Sequence, residues 1–160
     1  MKTLYMKQKV FSIGEKFSVT DEYQRPLYAI EGSFLKIPKE FRITTTDGQS
    51  VARIQKKVFS FLPTFYVELA DRQTIEIKKE LTFIKPKYTI SMKDLHVTGD
   101  WWDMNFQVTK DQKTIATIEK KWVSWGDTYA IKMMDEAFEQ TIVSLVVAID
   151  CVKAAERNNS

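Results

Sequence analysis

The stretch DEAFEQTIVSLVVAIDCVKAAER, at positions 135–157, decides the fold. Its apolar side chains recur at helical spacing, and within the central run IVSLVVAI only Ser144 is polar. A helix that is apolar on every side must be enclosed on every side. Asp135 is a suitable N-cap, and we therefore predict a buried helix over about 136–156.

The chain before this helix has the pattern of a many-stranded sheet. Short segments rich in β-branched and aromatic residues alternate with clusters of Asp, Gly, Pro, Gln and Lys, which are typical of turns. The predicted strands are Lys7–Phe11, Phe17–Thr20, Leu27–Gly32, Phe41–Thr45, Ser50–Lys56, Thr64–Leu69, Thr74–Lys79, Tyr88–Met92, Leu95–Gly99, Asn105–Thr109, Thr114–Lys120 and Thr128–Met133.

Only these strands can enclose the helix, and closing them into a barrel removes the exposed edges of an open sheet. We therefore predict a mainly β protein with one helix: a closed antiparallel β-barrel of about twelve strands around a buried hydrophobic C-terminal helix. We expect one domain over residues 1–160, with the barrel at about 6–134 and a short tail at 157–160.

An internal repeat supports this architecture. Residues 51–69 and 115–133 align without a gap at an offset of 64 residues. The identical positions are Ala52/Ala116, Ile54/Ile118, Lys56/Lys120, Lys57/Lys121, Ser60/Ser124 and Thr64/Thr128. Turn-like tetrapeptides at 46–49 and 110–113 precede the two copies, so the repeat predicts two related hairpins.

Three stretches carry a resemblance to a known family. They are GDTYAIKMMDEAFEQTIVSLVVAIDCV (126–152), GDWWDMNFQV (99–108) and KQKVFSIGEKFSVTDEYQRPLYAIEG (7–32). Together they resemble the LURP-one-related family, a branch of the tubby C-terminal-like superfamily, to which phospholipid scramblase domains also belong. The resemblance implies a twelve-stranded barrel around a buried C-terminal helix, and lipid or phosphoinositide binding at membranes.

Four residues match the most specific part of that family pattern: Asp127, Tyr129, Asp135 and Asp150. We assign them structural roles. Asp127 and Asp135 have the character of turn and capping residues. Asp150 follows Ile149, so its carboxylate must either leave the barrel or find donors, and we favour strand-end amides that anchor the helix.

The composition excludes several kinds of catalytic site. One cysteine, Cys151, cannot form an internal disulfide, and with the single His96 it cannot complete a zinc site. His96 lacks a nucleophile-elbow context, and Cys151 falls in the apolar helix, where a thiolate is disfavoured. The five glycines lie too far apart to form a phosphate loop. We therefore predict a protein that is not an enzyme, with no metal and no cofactor.

Charge and hydropathy limit the partners and the location. The 24 basic and 21 acidic residues leave a net charge of only +3, which does not predict nucleic-acid binding. The N-terminus lacks the apolar run of a signal peptide, and IVSLVVAI is shorter than the roughly 20 residues of a membrane-spanning helix. We expect a cytoplasmic protein, with peripheral membrane attachment as an open alternative.

Lysine pairs at strand ends are the strongest functional signal. Lys56-Lys57 and Lys120-Lys121 occupy equivalent points of the repeat, and Lys78-Lys79, Lys85 and Lys87 extend the set. A patch of such lysines would attract anionic lipid headgroups. Two readings oppose this one: strand-end lysines also guard edges against aggregation, and pairs 64 residues apart could lie on opposite sides of a barrel.

Two other features have both a functional and a structural interpretation. Asp100 and Asp103 flank Trp101-Trp102 and offer the oxygen ligands that calcium requires, yet Asp100 also suits a strand end with the tryptophans packed on the barrel. If they are exposed, the tryptophans could anchor a partner protein; these are Trp101, Trp102, Trp122 and Trp125.

The leading hypothesis is a non-enzymatic domain that binds phospholipid headgroups or other anionic ligands at a membrane surface, with Lys56, Lys57, Lys120 and Lys121 as the candidate site. The alternative is a cytoplasmic scaffold or protein-interaction module.

Overall fold

The structure is a computed structural model that describes residues 1–7, 16–33, 40–57, 61–80, 87–123 and 126–158. The strands are β1 (Lys2–Lys7), β2 (Lys16–Thr20), β3 (Pro26–Ser33), β4 (Glu40–Thr45), β5 (Ser50–Lys56), β6 (Thr64–Leu69), β7 (Thr74–Glu80), β8 (Lys87–Ser91), β9 (His96–Asp100), β10 (Asn105–Lys110), β11 (Lys113–Val123) and β12 (Gly126–Met133). A 3-10 turn at Glu136–Phe138 leads into the helix α1, Glu139–Asn158.

All twelve strands belong to one antiparallel sheet. The order is β8-β7-β6-β5-β4-β3-β2-β1-β12-β11-β10-β9, so the first and last strands of the chain pair with each other. The ends of this order, β8 and β9, are consecutive in sequence and are joined by the short turn 92–95. The predicted fold is confirmed as a nearly closed barrel, with its seam between β8 and β9.

The first described strand begins earlier than the sequence predicts. It covers Lys2–Lys7, so the barrel begins before residue 6; residues 8–11 of the predicted strand Lys7–Phe11 lie outside the described part of the chain. The side chains of Leu4 and Met6 alternate into the core with no exposure, which is the period of a strand with one buried face. β1 pairs with β12 over six consecutive positions.

The helix fills the barrel, as its apolar circumference predicts. Every residue from Ile142 to Asp150 has zero exposure. The hydroxyl of Ser144 donates to the Gln140 carbonyl at 2.6 Å, which satisfies a polar group that the core would otherwise penalise. The helix continues through Asn158, two residues further than predicted, so the expected tail at 157–160 begins later.

The repeat is preserved in the strand register. Ile54 pairs with Val67 in the β5–β6 hairpin, and their counterparts Ile118 and Ile131 pair in β11–β12. In the same way, Lys56 pairs with Phe65, and the equivalent Lys120 pairs with Tyr129. Because β5 and β11 are six places apart in a twelve-strand order, the two related hairpins lie on opposite sides of the barrel.

Among the described residues, no helix has the length and apolar content to cross a membrane.

Candidate functional site

The antiparallel order gives the barrel two distinct ends. Glu139, at the start of α1, accepts hydrogen bonds from Lys2 and Tyr28, which lie near the starts of β1 and β3; we call this end the lower rim. Glu156, near the end of α1, accepts from Lys79 and Tyr88, and we call this end the upper rim. The helix is therefore held at both mouths of the barrel by a carboxylate that meets a lysine and a tyrosine.

Two lysine pairs meet at the upper rim. The amide of Lys57 donates to the Thr64 carbonyl at 2.8 Å, and Thr64 pairs with Lys78 on the far side of β6. The amide of Lys79 donates to the Pro63 carbonyl at 2.9 Å. Lys56-Lys57 and Lys78-Lys79 therefore lie on either side of the start of β6, two strand spacings apart, which the sequence spacing alone did not predict.

The two pairs divide their side chains between the faces of the sheet. Lys56 pairs with the buried Phe65, and its Nζ lies 6.0 Å from the centre of that ring, so Lys56 is on the core side. Lys79 is also on the core side, with its Nζ 2.9 Å from Glu156 Oε1. Lys57 and Lys78 face outward and are exposed. Within the described residues, neither of the outward lysines forms an ion pair with a carboxylate.

The other repeat-related pair does not join this group. Lys120 and Lys121 lie near the same end of the barrel, but on β11, half of the strand order away. Lys121 lies 3.7 Å from Glu119, which is also bound by Lys132 at 2.6 Å. The hydrogen bond from Lys132 outweighs burial and lowers the pKa of Glu119, so this region carries a carboxylate among its lysines. Lys85 and the side chain of Lys87 lie outside the described part.

The ionisation of Glu156, at the upper rim, depends on several neighbouring side chains. Burial opposes its ionisation, but hydrogen bonds from Tyr88 at 2.6 Å and from Lys79 outweigh burial and lower the pKa of this carboxyl. The positive charge of Lys56 adds to the effect. Burial and the bond to Glu156 in turn raise the pKa of Tyr88. Glu156 is therefore stabilised as a carboxylate beside Lys79 and Lys56, and Glu80, at the end of β7, is a further carboxylate at this rim.

Replacing Glu156 tests this interaction through its pH dependence. The folded-state pKa lies below the ordinary value of 4.5, so the stabilisation is complete above that value and is lost as pH falls through the folded pKa. We expect Glu156→Gln to be less stable than the wild type at neutral pH, with the difference shrinking as the solution is acidified. Chemical unfolding at several pH values, with the exposed Glu136→Gln as control, measures it; a difference that is independent of pH would contradict the assignment.

An aromatic cluster covers the seam next to these lysines. The ring of Tyr88 stacks on Trp102 at 5.4 Å and 9°, and Trp101 meets both rings edge-on at 6.4 and 5.7 Å. Both tryptophans are half-buried and pack against the core. These two are therefore packing residues rather than exposed anchors; Trp125 and the side chain of Trp122 lie outside the described part.

Asp100, in the acidic turn beside this cluster, accepts a hydrogen bond within the turn. Asp100 Oδ1 accepts from the Asp103 amide at 3.1 Å, which ends β9 in the way expected of a strand-terminal Asp. Across the described ranges, no three His, Cys, Asp or Glu side chains gather in a way that holds a metal ion. The hydrogen bond within this turn and the packed tryptophans agree with its structural interpretation.

The four family-pattern residues lie along the helix and its flanking strand. Asp135 is at the N-cap position, and its side chain accepts from the Ala137 amide at 3.1 Å. The hydroxyl of Tyr129 donates to Asp150 Oδ1 at 3.2 Å, with both residues fully buried. One donor to Asp150 is thus a strand side chain, and the strand-end amides stay a prediction. Asp127 lies in β12, and its side chain is not among those described.

The remaining reactive residues lie apart from one another. Burial, and secondarily the charge of Asp150, raises the pKa of Cys151 well above its usual range, which disfavours the thiolate. His96 is exposed at the start of the edge strand β9. The two residues therefore occupy different environments, one inside the helix packing and one on the surface.

A groove lies at the lower rim. A groove of about 490 Å³ runs between the start of α1 and the β5–β6 side of the barrel, and its lining includes Tyr28, Asp71, Glu136 and Glu139. Its carboxylates disfavour an anionic ligand. The groove at the lower rim is therefore lined by acidic side chains, whereas Lys56, Lys57, Lys78 and Lys79 lie at the upper rim.

These features define a class of protein: a nearly closed twelve-stranded antiparallel β-barrel filled by one C-terminal helix, with lysines at one mouth. The sequence pattern of the LURP-one-related family matches residues 2–150, and the chain belongs to that family. The resemblance inferred from the sequence is confirmed.

Two comparisons agree with this placement. The Bacillus subtilis (strain 168) protein named uncharacterized protein YxjI is 29% identical over 157 residues, which cover 98% of this chain and 97% of that protein. An X-ray structure of a protein from Arabidopsis thaliana has a TM-score of 0.56 at 15% identity, over 93% of this chain and 92% of that one. The likeness to the plant protein is one of fold.

Proposed function

We propose that this chain is a non-enzymatic domain that binds anionic phospholipid headgroups, phosphoinositides among them, at the cytoplasmic surface of a membrane. The observation that carries the proposal is the meeting of Lys56-Lys57 with Lys78-Lys79 across β6 at the upper rim. A lysine near an anionic membrane surface contributes about 1 kcal/mol to binding, so several together give useful affinity. The tubby-like and scramblase-like character implied by the family resemblance agrees with a lipid ligand.

The competing interpretation of these lysines has less support. Lysines that block edge-to-edge pairing belong on exposed edge strands, whereas gatekeeper lysines flank hydrophobic strands in general. β5 and β7 are interior strands of the sheet, each with a hydrogen-bonded neighbour on both sides, and the edges are β8 and β9. Edge protection therefore gives no reason for Lys57 and Lys78 to lie where they do. The protein-interaction alternative relied on exposed tryptophans, and Trp101 and Trp102 are packed.

The strand order changes which lysines we assign to the binding site. The pair predicted to act with Lys56 and Lys57, Lys120 and Lys121, lies half of the strand order away. We propose that Lys78 and Lys79 take that place, with Lys120 and Lys121 outside the primary patch.

Vesicle co-sedimentation tests the function. We expect the protein to bind vesicles of phosphatidylcholine with phosphatidylserine and to show little binding to phosphatidylcholine alone. Raising the salt concentration should weaken the binding, because the Debye length falls from roughly 10 Å at 0.1 M to roughly 3 Å at 1 M. Equal binding to both kinds of vesicle, or none at low salt, would remove the lipid hypothesis and leave the protein-interaction module as the leading function.

A further inference from the structure

The upper rim carries a large apolar side chain in solvent. Phe61, in the connection between β5 and β6, is 91% exposed, whereas Phe17, Phe65 and Phe106 are at most 6% exposed. Isolated apolar residues on a surface are common, so exposure alone identifies no site. Phe61 is the most exposed large apolar side chain among the described residues, and it lies beside exposed lysines.

The backbone next to Phe61 is firmly attached to the barrel. The Pro63 carbonyl accepts from the Lys79 amide at 2.9 Å, and the Thr64 carbonyl accepts from the Lys57 amide at 2.8 Å. The Thr64 hydroxyl donates to the Leu62 carbonyl at 3.2 Å. Phe61 is thus the residue just beyond a segment fixed on both β5 and β7, and it is presented at the mouth of the barrel.

The outward lysines flank this segment. Lys57 and Lys78 occupy the same row on either side of Thr64, so their Cα atoms are about 10 Å apart, which is two strand spacings. Both side chains are exposed. An exposed apolar side chain flanked by two exposed lysines matches the layering of an anionic bilayer, whose phosphates lie outside its acyl chains. A protein partner would need a pocket for one ring and carboxylates for two lysines.

We propose that this part of the upper rim is a membrane-insertion element: Phe61 enters the boundary between headgroups and acyl chains while Lys57 and Lys78 contact the headgroup phosphates. The inference rests on the proposed function and adds the orientation of the barrel on the membrane. The upper rim lies against the bilayer, and the lower rim faces away from it. The insertion would add an apolar contribution to the binding free energy that salt does not screen.

The first experiment reports the position of residue 61 directly. Cys151 is 4% exposed, so in a Phe61→Cys variant the introduced thiol is the one that reacts with an environment-sensitive fluorophore under native conditions. With vesicles of phosphatidylcholine and phosphatidylserine, we expect brighter, blue-shifted emission and quenching by lipids brominated on the acyl chains. The matched control is Tyr23→Cys, at a side chain that is 71% exposed in the lower-rim turn between β2 and β3, whose label should stay in water.

The second experiment separates the apolar term from the charge term. We expect Phe61→Ala to weaken vesicle binding about tenfold without changing its salt dependence. Phe61→Trp should restore the affinity, since tryptophan is suited to the membrane interface. The thermal unfolding of each variant should match that of the wild type because the replaced side chain is exposed.

The outcomes distinguish this inference from the function on which it rests. If the wild type does not bind anionic vesicles, both fail. If the wild type binds, but the label at 61 stays in water and Phe61→Ala binds equally well, the insertion element is wrong and a purely electrostatic lipid site remains. If the label at 23 is the one that enters the bilayer, the orientation is reversed and the proposal is overturned.

Discussion

Val146→Asp should abolish cooperative folding of this protein. Val146 has zero exposure at the centre of α1, inside the barrel, so the new carboxylate has no access to water. An uncompensated buried charge costs on the order of 5 kcal/mol, which is comparable with the whole stability of about 5–15 kcal/mol of a typical domain. We expect the variant to give an insoluble product, or a soluble one without a cooperative thermal transition in circular dichroism.

A control on the same helix separates burial from the chemistry of the substitution. Gln140 lies in the first turn of α1 and is exposed. Gln140→Asp adds the same charge near a helix N-terminus, where a carboxylate is tolerated or favoured. Its stability should stay within about 0.5 kcal/mol of the wild type. A Val146→Asp variant that melts like this control would contradict the enclosed helix.

The next largest effect is expected at Gly99. Gly99 has φ +107°, a conformation that side chains rarely adopt, and it pairs with Phe106 in the edge hairpin β9–β10. A Cβ there would lie 2.9 Å from the Asn105 carbonyl oxygen and 3.0 Å from the Phe106 Cα. Because both atoms belong to the backbone, neither moves aside cheaply. We expect Gly99→Ala to lower the free energy of unfolding by about 3 kcal/mol or more.

Gly48 provides the matched comparison for this prediction. It also has a positive φ, +88°, in the turn between β4 and β5, but a Cβ would meet nothing within 4 Å. Gly48→Ala therefore carries the conformational cost alone, about 1 kcal/mol. Chemical denaturation of the two variants measures the difference, which is the cost of the close backbone approach at Gly99. Equal losses would show that β9 does not pack against β10 as described.

The fold could be predicted from the sequence because two local patterns together are compatible with only one arrangement of the helix and the strands. The helix is apolar on all sides from Ile142 to Ile149, which requires an enclosure, and the alternating segments before it can only be strands. The strand Lys2–Lys7 was missed because it has only two core positions, so its local pattern is weak. Its pairing with β12, which joins the two ends of the strand sequence, is not visible in local pattern.

The candidate site could be predicted only in part, because strand order is not a local property. The repeat relates Lys56 to Lys120, and a shift of six places in a twelve-strand barrel puts equivalent residues opposite each other. Lys57 and Lys78 lie on either side of Thr64 because β6 is the strand between β5 and β7. Predicting this arrangement requires the order of the hairpins in the sheet. Phe61 aligns with Trp125 in the repeat as an ordinary apolar position, and nothing in that pattern reveals its exposure.

Binding of anionic membranes by the upper rim is tested most directly by a comparison of two charge-matched variants. Lys57→Gln with Lys78→Gln removes two charges from the upper rim, and Lys93→Gln with Lys113→Gln removes two exposed charges from the opposite end of the barrel. The measurement is the affinity of each for phosphatidylcholine and phosphatidylserine vesicles at low salt. We expect the upper-rim variant to bind about thirtyfold more weakly than the wild type and the lower-rim variant to bind nearly as well as the wild type. Equal losses in the two variants would show that only net charge matters and would contradict a membrane-binding site at the upper rim.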